Sequence, residues 1–311
     1  MIGDSSQMCR VFIPSYHRPR NIKTVYFLHK AGWNMSLVTV FIDDQAGDED
    51  EYRDEAAKYG FNVHVFNMEE ARRRYDYVHR ASVSRRSAGQ ARNMFQDYAE
   101  SIGIDFYVVM DDDTQYFASF MMRRTIRDLD LVRRAFNKAE DLMRKRHIGV
   151  FGYPQTGDFI GGYQYPIFTR KVMNTTFYLL PYIYRGERGV QDDDTSLFTG
   201  IINEGLFTGT AQHSIVLQQV QSATQSGGLT DLYNECKLLN KALVTVIQFP
   251  SAIKAEYQPK NGGRIHHRIN YKYLGPCIIR GRAEHDNIAW DRYQEDFPFT
   301  NENKVAGHKD D

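Results

Sequence analysis

Ile104-Asp105-Phe106-Tyr107-Val108-Val109-Met110-Asp111-Asp112-Asp113 is an apolar run that empties into three consecutive carboxylates. A short run of β-branched and aromatic residues bounded by polar ones reads as a buried strand, here over Ile104–Met110. Working outward, the same pattern recurs. Arg10–Pro14 is apolar and breaks at Pro14-Ser15-Tyr16-His17-Arg18-Pro19, Leu37–Ile42 ends at Asp43-Asp44, and Phe61–Phe66 follows Gly60. Helical periods lie between these runs. Ile22, Val25, Tyr26 and His29 share one face ahead of Gly32, and Glu49–Tyr59 is an acidic helix stopped by Gly60. Ala88–Ile102 places Ala91, Met94, Phe95 and Tyr98 on a stripe. Leu131–Arg146 is a further helix and His147–Gly152 a further strand.

Strand and helix alternating at these lengths predict an α/β fold, a Rossmann-like, mostly parallel sheet flanked by helices. Ligands of such sheets bind beyond the carboxyl ends of the strands. Ser15–Arg18, Asp43-Asp44 and Asp111–Asp113 all fall at such ends, so a nucleotide site is expected there. The second half is richer in strands and loops, with many aromatics over Tyr153–Tyr184 and a helical interval near Leu229–Leu239. With no repeat or low-complexity linker, residues 1–300 read as one domain with halves at 10–150 and 151–300. Residues 301–311 read as a flexible tail.

The 311 residues carry 39 Lys+Arg against 39 Asp+Glu, and 25% charged with 42% hydrophobic residues excludes wholesale disorder. No run of about 18 apolar residues exists, so no membrane span is expected. Met1–Arg10 lacks the apolar core of a secretory signal. Cys9, Cys236 and Cys277 are too scattered for a disulfide framework or a zinc cluster. Together these point to a cytoplasmic protein. The neutral total hides segregation. Arg72–Arg92 holds seven arginines and one acid, and Lys260–Arg282 holds six basic residues and no acid. Such patches suit a polyanionic ligand, although solvated helix faces produce them as well.

The acid triplet is the sharpest chemical feature. Carboxylates at a strand end can hold Mg²⁺ or Mn²⁺, whose shell is completed by phosphate oxygens and water. A helix cap or solvated turn is the plainer reading, but three adjacent acids repel one another without a cation. Arg92-Asn93 follows Gly89 in a helix start, where Arg92 could pair with a phosphate or an acid. Gly157–Tyr165 carries Gly161 and Gly162 among aromatics, a loop or hairpin turn that lets a ligand approach closely. Asp192-Asp193-Asp194 precedes the apolar stretch Leu197, Phe198 and Ile201, as a cap cluster or as the source of a general base. His266-His267 could supply a metal ligand or be structural.

Taken together, the Pro-Ser-Tyr strand end, the Asp-Asp strand end, Gly-x-Ala-Arg-Asn and the acid triplet resemble the nucleotide-sugar half of a GT-A glycosyltransferase. The later clusters continue that order to about residue 270. The resemblance implies nucleotide contacts from Pro14, Ser15, Tyr16, Arg18 and Asp43 or Asp44. Arg92 and Asn93 would support base and diphosphate, Asp111 and Asp112 the ribose and donor, and Gly161 and Gly162 the donor loop. Asp111 and Asp113 would hold Mn²⁺ or Mg²⁺, joined by His266 or His267. Asp194, or Asp193 beside it, would be the acceptor-side base, which implies an inverting displacement.

Pro-Ser-Tyr-His-Arg-Pro and Met-Asp-Asp-Asp-Thr-Gln-Tyr-Phe are more narrowly similar to the TET/JBP-associated glycosyltransferases. That likeness implies a phage enzyme using a nucleotide sugar, taken as a UDP-sugar, on hydroxymethylated pyrimidines of double-stranded DNA. The competing expectations are a saccharide or protein acceptor, a metal-dependent nuclease, and a non-catalytic nucleic-acid-binding module.

Overall fold

A computed structural model describes residues 9–75, 88–119, 124–126, 129–153, 171–172, 175–183, 192–204, 206–210, 216–219, 241–259, 263–270 and 273–274. The chain opens with β1 (Arg10–Pro14), α1 (Lys23–Lys30), β2 (Val38–Asp43), α2 (Glu49–Tyr59) and β3 (Asn62–Phe66). Then come α3 (Met68–Arg74), α4 (Ala88–Ser101), β4 (Phe106–Val109), β5 (Thr114–Ser119), β6 (Arg124–Ile126) and α5 (Leu129–Arg146). After these lie β7 (Ile148–Gly152), β8 (Thr176–Leu179), α6 (Asp193–Asn203), β9 (Phe207–Thr210) and β10 (Val216–Gln219). Residues 241–248 are helical, and β11 (Ile253–Gln258) and β12 (Arg264–Ile269) follow.

Among the described residues, seven strands form the central sheet in the order β3-β2-β1-β4-β8-β7-β9. β3, β2, β1 and β4 run parallel, as the alternation predicts. β8 reverses direction against both β4 and β7, while β9 is again parallel to β7. The sheet is thus mostly parallel with one inverted strand. β10-β5-β6 make a separate antiparallel sheet and β11-β12 a two-stranded ribbon.

Successive side chains of a strand face opposite ways, and that period explains the two cores. Val11, Ile13, Val38, Val40, Val108 and Met110 pack under α1, α2 and α5. Phe12, Phe41, Tyr107 and Val109 pack against α3, α4 and α6. The second face is aromatic, with the Phe12 ring 5.1 Å from Phe41 and 4.8 Å from Tyr107. On the first face Trp33, 5% exposed, meets Phe136 edge-on at 5.6 Å. Its indole nitrogen has no hydrogen-bond partner.

Local signals set the helix ends. α2 opens with Glu49, Asp50 and Glu51, favourable at a helix N-terminus, and closes at Gly60 with φ +82°, a conformation glycine adopts without strain. α3, absent from the sequence reading, is capped by the Asn67 side chain, which accepts the Glu70 amide at 2.7 Å. The expected interval Leu229–Leu239, the Gly157–Tyr165 loop and the 301–311 tail lie outside the described residues. Among the described residues, no helix is long and apolar enough to cross a membrane.

Candidate active site

The parallel pairing brings the carboxyl ends of β1, β2 and β4 to one edge. The Ser15 amide donates to the Phe41 carbonyl at 3.0 Å, and the Met110 amide to the Phe12 carbonyl at 3.0 Å. Asp112 turns inward from that edge. The Arg18 guanidinium donates to its Oδ1 at 2.7 Å, and the Ser15 hydroxyl to its Oδ2 at 3.0 Å. Tyr52 closes the cluster, its hydroxyl 2.8 Å from the Ser15 oxygen and accepting the Arg18 amide at 3.1 Å. Burial raises the Asp112 pKa, although Arg18 and Ser15 oppose the shift. From below, Thr24 fixes the turn: its hydroxyl donates to the Asp111 carbonyl and accepts the Thr114 amide, and its amide donates to the Asp112 carbonyl.

Asp111 and Asp113 flank this inward residue. Asp113 is 5% exposed, and its Oδ1 has no hydrogen-bond partner. Burial, then Asp111 and Asp112, push its carboxyl up to about 7. A buried carboxylate cluster with an unused oxygen is a fitting partner for a hard divalent cation. No three His, Cys, Asp or Glu side chains among the described residues stand preassembled as a metal site. A cation held here would draw other ligands from donor and water.

Arg92, on α4, reaches both the end of β4 and the start of α6. Its guanidinium donates to Asp111 Oδ1 at 3.2 Å and pairs with Asp193 Oδ2 at the first turn of α6. The neighbouring acids are held differently. Asp194 accepts the Thr195 amide on Oδ1 at 2.8 Å and pairs through Oδ2 with Lys171 Nζ at 2.6 Å. Lys171 also donates to the Thr195 hydroxyl at 3.2 Å. Burial opposes ionisation of Asp194, but Lys171 outweighs it and holds the carboxyl at about 2. Burial lowers and Asp194 raises the Lys171 pKa, for a net rise. Asp192 precedes the helix in the left-handed region, φ +61°. Its carboxylate meets His267 Nδ1 at 2.8 Å and Lys241 Nζ at 3.8 Å.

Several expected residues therefore meet: Ser15, Arg18 and Asp112 in one cluster, and Asp111, Arg92 and Asp193 in another. Pro14 ends β1 in register with Phe41. The Tyr16 ring lies 4.0 Å from that of His17, whose Nδ1 is 3.0 Å from Asp48. Asp43 is buried and accepts the Gln45 amide. Asp44 is committed to α3, accepting the Met68 amide and the Asn67 side chain. Asn93 is fully buried in α4. His266 and His267 fall on opposite faces of the ribbon, and His267 is the one turned to α6. Gly161 and Gly162 lie outside the described residues. The sequence reading missed Thr24, Tyr52, Lys171 and Lys241. All four act across long separations, and no local spacing marks them.

Residues 9–228 match the TET-associated glycosyltransferase family, and the chain belongs to that family. No curated protein matches the sequence. Among solved structures, a cytidylyltransferase from Leptospira borgpetersenii aligns at 14% identity and TM-score 0.29, over 56% of this chain and 61% of its own. A protein described as a nucleotide-diphospho-sugar transferase from Desulfovibrio desulfuricans aligns at 12% identity and TM-score 0.34, over 73% of this chain and 87% of its own. A mannose-1-phosphate geranyltransferase from Thermus thermophilus aligns at 7% identity and TM-score 0.36, covering 68% and 75%. At these identities and TM-scores the three alignments are distant.

Proposed function

We propose that this TET-associated glycosyltransferase moves a sugar from a nucleotide sugar, a UDP-sugar, to the 5-hydroxymethyl group of a modified pyrimidine in double-stranded phage DNA. The observation that carries the reading is Arg92, one guanidinium shared by Asp111 at the end of β4 and Asp193 at the start of α6. It ties a strand-end donor site to a helix-end carboxylate, the two parts a group transfer needs.

On the donor side, Pro14, Ser15, Tyr16, Arg18 and Asp43 line the nucleotide position, with Ser15 and Arg18 acting through the Asp112 cluster. Arg92 and Asn93 support base and diphosphate. Asp111 and Asp113 would hold Mn²⁺ or Mg²⁺, and the unused Asp113 oxygen supports that assignment. Of the two histidines, His267 is the one that faces α6, its Nδ1 2.8 Å from Asp192, but it does not stand with Asp111 and Asp113 as a preassembled set, so the other ligands would come from donor and water. The bound cation would neutralise charge on the leaving diphosphate.

On the acceptor side, a carboxylate takes the proton of the attacking hydroxyl. A general base works best with a pKa near the operating pH. Asp194 has both oxygens engaged, Oδ1 by the Thr195 amide and Oδ2 by Lys171, whereas Asp193 meets Arg92 through Oδ2, so the base is assigned to Asp193. Asp193 accepts the hydroxyl proton as the acceptor oxygen bonds to the anomeric carbon. The bond from that carbon to the diphosphate oxygen breaks on the opposite face, and its electron pair leaves with the nucleotide, giving inversion.

The test is intact mass of hydroxymethylpyrimidine DNA after incubation with enzyme, Mn²⁺ and a panel of nucleotide sugars, with free nucleotide measured in parallel. A hexose- or pentose-sized gain supports the reading. Nucleotide release with sugar found only on a saccharide or protein refutes the DNA acceptor. Shortened DNA without sugar dependence points to a nuclease.

A further inference from the structure

The β11–β12 ribbon lies beyond residues 9–228, outside the stretch that matches the family. Its register divides it into two faces. On the first, Ile253 and Ile269 pair at the base and pack with Phe198 and Ile202 of α6. His267, one step further along this face, reaches Asp192 at the head of the same helix. At the far end Tyr257 and Ile265 pair across the strands and stand 66% and 38% exposed. An apolar, aromatic tip thus extends from the face that is seated on the candidate active site.

The second face is polar and basic. Lys254 and Arg268 are cross-strand partners with side chains 63% and 66% exposed. Glu256 sits between them, 2.5 Å from Lys254 and 3.1 Å from Arg268, and offsets one of the two charges. Across the two strands the sequence carries three Lys or Arg residues and the single acid Glu256.

We propose that this ribbon docks the DNA acceptor, its basic face on the phosphates and its Tyr257–Ile265 tip against a base beside the target nucleotide. The inference rests on the DNA-acceptor reading above and extends it to a named surface. Phosphates are bound by Lys and Arg whatever the sequence, and a two-stranded ribbon fits the major groove. An exposed aromatic ring gives an unstacked base a surface to lie on. Cations on one face and a ring at the tip suit a polyanion that carries flat bases, and the seating on α6 directs that polyanion to Asp193.

The experiment measures binding of a hydroxymethylcytosine-containing duplex by fluorescence anisotropy across a salt series. Each phosphate contact removed lowers the slope of log affinity against log salt by about 0.9. Lys254→Gln with Arg268→Gln should therefore flatten the slope by about 0.9–1.8, the lower figure where Glu256 keeps one of the two cations. Tyr257→Ala should weaken binding by about tenfold and leave the slope unchanged. Titration with the UDP-sugar checks that each variant retains a folded donor site. Wild-type affinity and slope in both variants, beside a wild type that binds the duplex, would overturn the ribbon's role alone. A wild type that turns over nucleotide sugar yet binds no duplex would overturn the DNA-acceptor reading and the ribbon proposal with it.

Discussion

Replacing Lys171 by Met removes the cation from a pair in which Asp194 lies 2.6 Å away and both side chains are mostly buried. Two independent routes give the size of the effect. The Asp194 carboxyl moves from 3.8 to about 2 on folding. At roughly 1.4 kcal/mol per pKa unit, that represents about 2–3 kcal/mol. Breaking a buried pair from one side costs about 3–5 kcal/mol, and a site still partly open to solvent belongs at or below the lower end. Lys171→Met should therefore destabilise the protein by about 2–3 kcal/mol at neutral pH, read from urea unfolding. Lys171→Met combined with Asp194→Asn should recover most of that loss, because no unpaired charge stays behind. The pH dependence has a defined sign. The folded-state pKa of Asp194 is depressed, so its stabilisation is complete above the unfolded value near 4 and disappears as pH falls towards 2. The stability gap between wild type and Asp194→Asn should accordingly narrow between pH 5 and pH 3. An unchanged unfolding midpoint in Lys171→Met, or a double variant no better than the single one, would refute the reasoning.

Three further outcomes are expected. Asp113→Ala should abolish Mn²⁺-dependent donor turnover, and near-normal activity at low Mn²⁺ would remove Asp113 from the cation site. Asp193→Asn should lower kcat by about 10²–10⁴-fold while donor affinity by calorimetry stays the same; the same loss in Asp194→Asn, with Asp193→Asn active, would reverse the two roles. Arg18→Met leaves Asp112 buried and unpaired, since the two side chains are only 6% and 9% exposed. It should cost about 3–5 kcal/mol in chemical denaturation, and a value below about 1 kcal/mol would show that Asp112 is not held as an anion.

Much of the N-terminal part of the fold was legible because its signals are local. β1 and α2 keep the boundaries that their apolar run and their Gly60 stop implied. α3 was missed although Asn67 and Glu70 stand three apart, a cap signature overshadowed by the arginine run that follows. The inverted direction of β8 was not legible, because an apolar run carries no information about which way its strand points. The site divides in the same way. A strand ending in Asp111–Asp113 is a local pattern, so the place of the acids could be read. Their unequal roles could not: Asp112 is turned inward by Arg18 and Ser15, more than ninety positions earlier in the chain. Likewise, the order of preference between Asp193 and Asp194 depends on Lys171 and Arg92, which approach from other elements.

Trp33, buried on the sheet's first face, supplies an optical probe. The chain has two tryptophans. Trp33, enclosed beside Phe136 with its ring nitrogen unpartnered, should emit at short wavelength when folded and shift to the red as the α1–α5 side of the core opens. With Trp290→Phe as background, emission would follow loss of that core alone. Because the probe sits on the opposite face of the sheet from α4 and α6, substitutions at Arg92, Lys171 or Asp193 can be ranked for stability without altering the fluorophore's surroundings.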